Sequence, residues 1–303
     1  TLFPYSFTVT PDTVLSSLSF ASSAVLYNKG KLLSEQHDLL SDQYKRFEEL
    51  FRPTSERWHK LQVLDGTPLS WVEFSKIDAS IMQIAESEPV FNEVPRGIIK
   101  KLRRIETHVL GLLPKPSLCE RDPKLESRPK IVDQILLKYL DHLYFPEDVF
   151  ADQHYDFRTR ELMQELVAAP NSVSLAENKT NGPTKFANLI SLKKLDLADE
   201  IEDLLDRFFY MRLFSKLFFG PGFFHLSLIA GLHHLQLLRV LLGLKLKQEI
   251  LRNPETALTF ERAAEIVRTL ERRLTQLDLS RESVSVLEIL CSSAERVERT
   301  LSL

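Results

Sequence analysis

The stretch that most constrains this chain is LFFGPGFFHLSLIAGLHHLQLL, residues 217–238, which contains no Asp, Glu, Lys or Arg and is broken near its start by Gly-Pro-Gly. Such a run has to leave water, and by length alone it could span a bilayer, for which about 20 apolar residues suffice. His225, His233, His234, Gln236 and the early break weaken that reading. The acidic segment before it, and Arg239, Lys245 and Lys247 after it, suit the turn of a buried helical hairpin. We therefore expect the central hairpin of a soluble bundle, with Phe218, Phe219, Phe223 and Phe224 clustered around the corner.

The rest of the chain argues for helices. Only 9 glycines occur in 303 residues, and β-branched residues seldom alternate with polar ones, which disfavours a sheet protein. From Pro11-Asp12-Thr13, read as a helix start, Val14, Leu18, Ala21 and Val25 follow at helical intervals, and Leu33, Leu40, Tyr44, Phe47 and Phe51 continue the stripe to Pro53. This spacing predicts either one long first helix or a pair broken at Gly30. A second amphipathic run follows the turn at residues 65–68. Ile98, Leu102, Ile105, Val109 and Leu112 then step by four and three, which predicts another helix.

Pro114, Pro116, Pro123 and Pro129 prevent a continuous helix and mark the strongest internal boundary. The organisation expected is an N-terminal helical region at 1–113, a Pro-rich crossing segment at 114–130 and a C-terminal helical bundle at 131–303. Near the end, Phe260, Ala263, Val267, Leu270, Leu274 and Leu277 step 3-4-3-4-3, and Leu287, Leu290, Ala294, Val297 and Leu301 step 3-4-3-4. The fold class expected is all-α: an elongated multi-helix bundle of about eight to ten helices, divisible into two lobes and closed by a C-terminal antiparallel helical hairpin.

Composition narrows the function. Hydrophobic residues at 44% and charged residues at 27% are ordinary globular values, and a net charge of -3 leaves none of the basic excess of a nucleic-acid-binding domain. Cys119 and Cys291 are far apart in sequence and form no CxxC pair, so a reducing, cytoplasmic setting is the simpler reading. The opening TLFPYSFTVTP carries no basic stretch followed by an apolar one, and no signal peptide is expected from it. Asn178-Lys179-Thr180 matches a glycosylation sequon, a triplet common by chance.

Local catalytic signatures are missing: HExxH, a P-loop, GxGxxG and GxSxG do not occur. Asp196, Asp199, Glu200 and Asp203 share one helix face that could hold a divalent cation, but no second carboxylate motif accompanies them, and acids also suit the start of a helix. His225, His233 and His234 lack nearby Cys or acidic partners, so core histidines bonded to neighbouring helices are expected rather than ligands. No metal, cofactor or catalytic residue is assigned.

Two surfaces remain as candidates. Arg96, Lys100, Lys101, Arg103 and Arg104 form the densest basic group in the chain, suited to an acidic partner or an anionic membrane surface. Phe208, Phe209, Phe218, Phe219, Phe223 and Phe224 fall in a ring-dense segment that could line a cavity or dip into a bilayer. The leading functional expectation is a non-enzymatic helical scaffold or adaptor that binds protein partners through amphipathic helix surfaces, as a subunit of a larger complex. Binding of a lipid or other hydrophobic ligand, or peripheral membrane attachment, through the aromatic hairpin is the alternative. A metal-dependent all-α enzyme using the acidic face is third.

Overall fold

The computed structural model describes residues 5–22, 25–26, 34–36, 56–64, 66–87, 90–91, 94–95, 97–113, 131–146, 197–252 and 257–301. The fold is mostly helical, an all-α multi-helix architecture with short antiparallel strands. The chain divides into two compact units, Thr1–Glu120 with Ala198–Gln236, and Arg121–Leu197 with Leu237–Leu303. Residues 198–236 thus group with the N-terminal unit.

In the first unit, strand β1 (Tyr5–Val9) pairs antiparallel with β2 (Val14–Leu18), which in turn pairs with β3 (Ser34–Gln36). This replaces the first part of the expected long helix, since Val14–Leu18 is a strand; Leu33, Leu40, Tyr44, Phe47 and Phe51 of that stripe fall outside the described residues. Pro11-Asp12 is the turn of a β-hairpin, closed where the Thr10 N–H and hydroxyl both donate to the Thr13 carbonyl, each at 2.9 Å. A Pro-Asp pair is both a turn signal and a helix-start signal, and here the strand wins because all five residues of β2 are buried. With both faces of VLSSL covered, polar-apolar alternation is not required, and Val14 and Leu18 imitate a helical stripe. The Trp58 indole, in a short 3-10 turn at Arg57–Lys60, donates to the Val9 carbonyl at 2.8 Å and so fastens the hairpin to that turn.

Two-residue ladders, β4 (Leu61–Gln62) with β5 (Pro68–Leu69) and β6 (Val90–Phe91) with β7 (Val94–Pro95), flank helix α1 (Trp71–Ala85). A capping box starts α1: the Glu73 N–H donates to the Ser70 hydroxyl while the Ser70 N–H donates to the Glu73 carboxylate. Helix α2 (Ile98–Leu112) and helix α4 (Asp199–Phe214) pack with α1 as a mutually contacting trio. Phe74, Ile77 and Ile81 of α1, Ile98, Leu102, Ile105 and Val109 of α2, and Leu204 and Phe208 of α4 are all buried.

After α4, residues 215–227 form a folded corner, with a 3-10 turn at Gly220–Gly222, before helix α5 (Leu228–Arg252). Among the described residues α5 is long and apolar enough to cross a membrane, and 78% of its apolar window is buried in the protein. Lys216, Gly220, Phe224 and His225 take positive φ (56°, 52°, 49° and 59°), so the chain reverses through left-handed backbone at the Gly-Pro-Gly break. Arg212, buried at the end of α4, donates to the Leu217 carbonyl at 2.5 Å and lies over the Phe208 and Phe223 rings at 5.9 and 5.7 Å.

The second unit is built on helix α3 (Ile131–Tyr144), against which helix α6 (Phe260–Gln276) and helix α8 (Ala294–Leu301) pack. The heptad positions Ala263, Val267, Leu270 and Leu274, and Leu287, Leu290, Ala294 and Val297, are buried as their spacing predicts. The second of the two expected limbs is broken, however: helix α7 (Arg281–Ser292) stops at Ser293, and the Ser293 hydroxyl accepts from the Arg296 N–H at 3.3 Å to start α8. Arg299 of α8 grips the fully buried Asp133 of α3 with two bonds, 2.8 and 3.1 Å.

Candidate functional site

Helix α2 is positioned by three polar contacts. Asp206, from α4, accepts the N–H groups of Gly97 at 2.6 Å and Ile99 at 3.1 Å, and so caps a helix whose own N-cap is a left-handed glycine, φ 73°. Burial raises the Asp206 carboxyl above its ordinary value, and the two backbone bonds partly offset this. On one flank of α2, the 3% exposed Glu106 accepts from His233 Nε2 at 3.0 Å and from Gln236 Nε2 at 2.6 Å, both on α5. On the other flank, Lys101 Nζ donates to the Ala85 carbonyl at 2.8 Å, holding the end of α1 beside the start of α2.

Lys101 is only 4% exposed, which removes it from the expected basic surface. Consecutive helix positions are about 100° apart, so the residue after Lys100 falls at the margin of the buried stripe. Its long stem is buried there, and its ammonium finds a helix-terminal carbonyl. Lys100, Arg103 and Arg104 are exposed, on the face opposite Leu102, Ile105 and Val109. Arg96 lies outside the described residues.

The exposed cations do not stand on a convex surface. Between α1 and α2 runs an open groove of about 810 Å³. From the first helix it is lined by Ser80, Gln83 and Ile84, with Ser87 just beyond the helix end. The second helix supplies Lys100, Arg103, Arg104, Thr107 and His108. Among the described residues that line it, none is a carboxylate and one is aliphatic; the others are cations, hydroxyls, an amide and an imidazole. The groove can hold an anion by charge and by neutral donors together, in a concave setting that excludes part of the solvent. Its three charged residues were readable in the sequence. His108 was missed, although its position four residues after Arg104 was a readable signal. The α1 wall was not readable, because only packing brings it there.

The aromatic candidates lie elsewhere in the unit. Phe208, Phe209, Phe218 and Phe219 are fully buried and Phe223 nearly so, while Phe224 is half-buried. Phe219 lies against Phe74 in a tilted pair at 4.6 Å and meets Trp58 at 5.8 Å, and Phe208 meets Phe20 edge-on at 5.8 Å. These rings fill a core. His234 lies 4.8 Å from Phe223 in a stacked pair, and burial together with the Arg212 charge pushes its pKa down to about 3. His233 and His234 have the core role expected of them, and His225 is exposed.

Of the acidic face, Asp199, Glu200 and Asp203 lie in the first turns of α4, while Asp196 falls outside the described residues. Among the described residues no group of three or more His, Cys, Asp or Glu side chains is placed to hold a metal ion. Cys291 is buried, and burial pushes its thiol well up. Cys119 and the Asn178 sequon fall outside the described residues.

Comparison of the chain with protein-family models, with curated proteins and with solved structures finds no match.

Proposed function

We propose that this protein is a non-enzymatic helical scaffold or adaptor, working as a subunit of a larger assembly, and that the groove between α1 and α2 is where it docks an anionic partner. One observation carries the reading: Lys100, Arg103, Arg104 and His108 line a concave surface on which no described lining residue is a carboxylate. A solvated basic face on a core helix needs no second wall. This face has one, supplied by Ser80, Gln83 and Ser87. Electropositive clefts of this kind concentrate oppositely charged partners and speed their association.

The aromatic corner is less suited to the task, since its rings are in contact with one another and with Trp58 and Phe74. The test is quantitative capture of partners by the tagged full chain and by an Arg103→Glu, Arg104→Glu variant in parallel. Partners that the groove docks are depleted from the variant and are released from the parent protein as salt rises. An unchanged partner set would count against the proposal.

A further inference from the structure

We infer that the groove between α1 and α2 is a binding site for a multiply phosphorylated polyol, taken either free from solution or as the headgroup of a membrane lipid. This rests on the reading of the groove as an anion-docking site and specifies its ligand.

The neutral part of the lining disfavours a helical partner. A helix docking in a groove needs apolar holes at helical spacing. Among the described residues this groove offers one aliphatic side chain, Ile84, and its other neutral side chains are the hydroxyls of Ser80, Ser87 and Thr107 and the Gln83 amide. Those hydroxyls and the amide can hydrogen-bond a ligand that presents oxygen.

The cations favour phosphate. Arg103 and Arg104 are adjacent planar forks, a geometry that matches the oxygens of phosphate in paired hydrogen bonds. From Lys100 to His108 the helix rises about 12 Å, room for more than one phosphate along the stripe. The Gly97 and Ile99 N–H groups at the start of α2 are already taken by Asp206, so the phosphates must be held by side chains. Binding should then depend on the guanidinium groups in kind, not only on their charge.

Inositol hexakisphosphate serves as the soluble probe, titrated calorimetrically into the full chain at low salt, with polyglutamate as a carboxylate polyanion in a second titration. Phosphatidylcholine vesicles carrying phosphatidylinositol bisphosphate, or phosphatidylserine at matched charge, form the membrane arm. The Arg103→Lys, Arg104→Lys variant keeps the charge and, at exposed positions, leaves the fold intact by circular dichroism. Inositol hexakisphosphate should bind at one site, and the variant should bind it about tenfold or more weakly. Sedimentation with the bisphosphate vesicles in preference to the serine vesicles assigns the lipid source, and binding of the soluble probe alone assigns the free one. If polyglutamate binds as tightly as the phosphorylated probe and the lysine variant changes neither, the ligand is an acidic protein segment: the phosphorylated polyol is overturned while anion docking stands. If neither polyanion binds, both readings fall.

Discussion

The Asp206 carboxylate lies 2.6 Å from the backbone nitrogen of Gly97, so a side chain of α4 closes the positive end of α2. One buried acid from residues 199–214 thereby fixes the helix that carries Lys100, Arg103 and Arg104. Replacing Asp206 with Ala leaves two N–H groups at a part-buried helix end without that acceptor and should cost about 2–3 kcal/mol. Asn, which keeps one acceptor oxygen, should cost less. Urea unfolding of the two variants checks the order, and equal losses would contradict the capping role.

Glu106 has a parallel role at the α5 contact. Removing the carboxylate with Glu106→Leu takes this acceptor from His233 Nε2 and Gln236 Nε2 in a buried site and should destabilise by about 3–5 kcal/mol. A double-mutant cycle with His233→Leu should return a coupling of about 1 kcal/mol or more. Additive single losses would show that the pair does not act together.

Gly231 marks a close backbone approach. A Cβ placed there would stand 2.3 Å from the Phe218 carbonyl oxygen and 2.7 Å from Phe219 Cβ. Gly231→Ala should therefore force the aromatic corner away from α5 at about 1–3 kcal/mol, even though alanine is the better helix former. Gly243, on the same helix with open space around it, is the control: there alanine should be neutral or stabilising. The thermal melt should fall for Gly231→Ala and hold or rise for Gly243→Ala.

His234 gives the protein a pH signature. Its pKa is pushed down to about 3 in the folded chain, so it stays neutral there while the unfolded chain takes up a proton below the ordinary value of 6.5. The unfolded state binds more protons between those values, so this contribution to stability is fully present above pH 6.5 and is lost as pH falls. At pH 5 the loss should be about 2 kcal/mol. Because Asp206, with its raised carboxyl, acts in the opposite sense, the signal is read as a difference from His234→Phe, whose stability should fall less between pH 7 and 5. Parallel pH profiles would refute it.

How much of the fold and the groove was legible in the sequence depended on whether spacing or contact decided each feature. The buried stripe of α2 from Ile98 to Val109, though not Leu112, which is 52% exposed, and the heptads of α6 to α8 could be read directly, because a helix that buries one face must repeat its apolar residues at that period. Val14 and Leu18 misled, because a strand buried on both faces needs no alternation. Lys101 misled for a different reason: its place at the stripe's margin left the choice to the Ala85 carbonyl, which only the fold brings near. The need of the aromatic run for burial is legible, but whether Phe219 meets a ligand or Trp58 and Phe74 depends on contacts from residues well over a hundred positions away. The groove was half legible for the same reason, its basic wall lying on one helix and its hydroxyl wall on another.

Hydrogen–deuterium exchange of the full chain, with and without sodium tripolyphosphate at low salt, tests the central claim most directly. Anion docking between α1 and α2 predicts slowed exchange in peptides covering residues 80–87 and 100–108, weakened by added salt and abolished by Arg103→Glu with Arg104→Glu. Protection confined to other peptides, or identical protection in the charge-reversed protein, would contradict it.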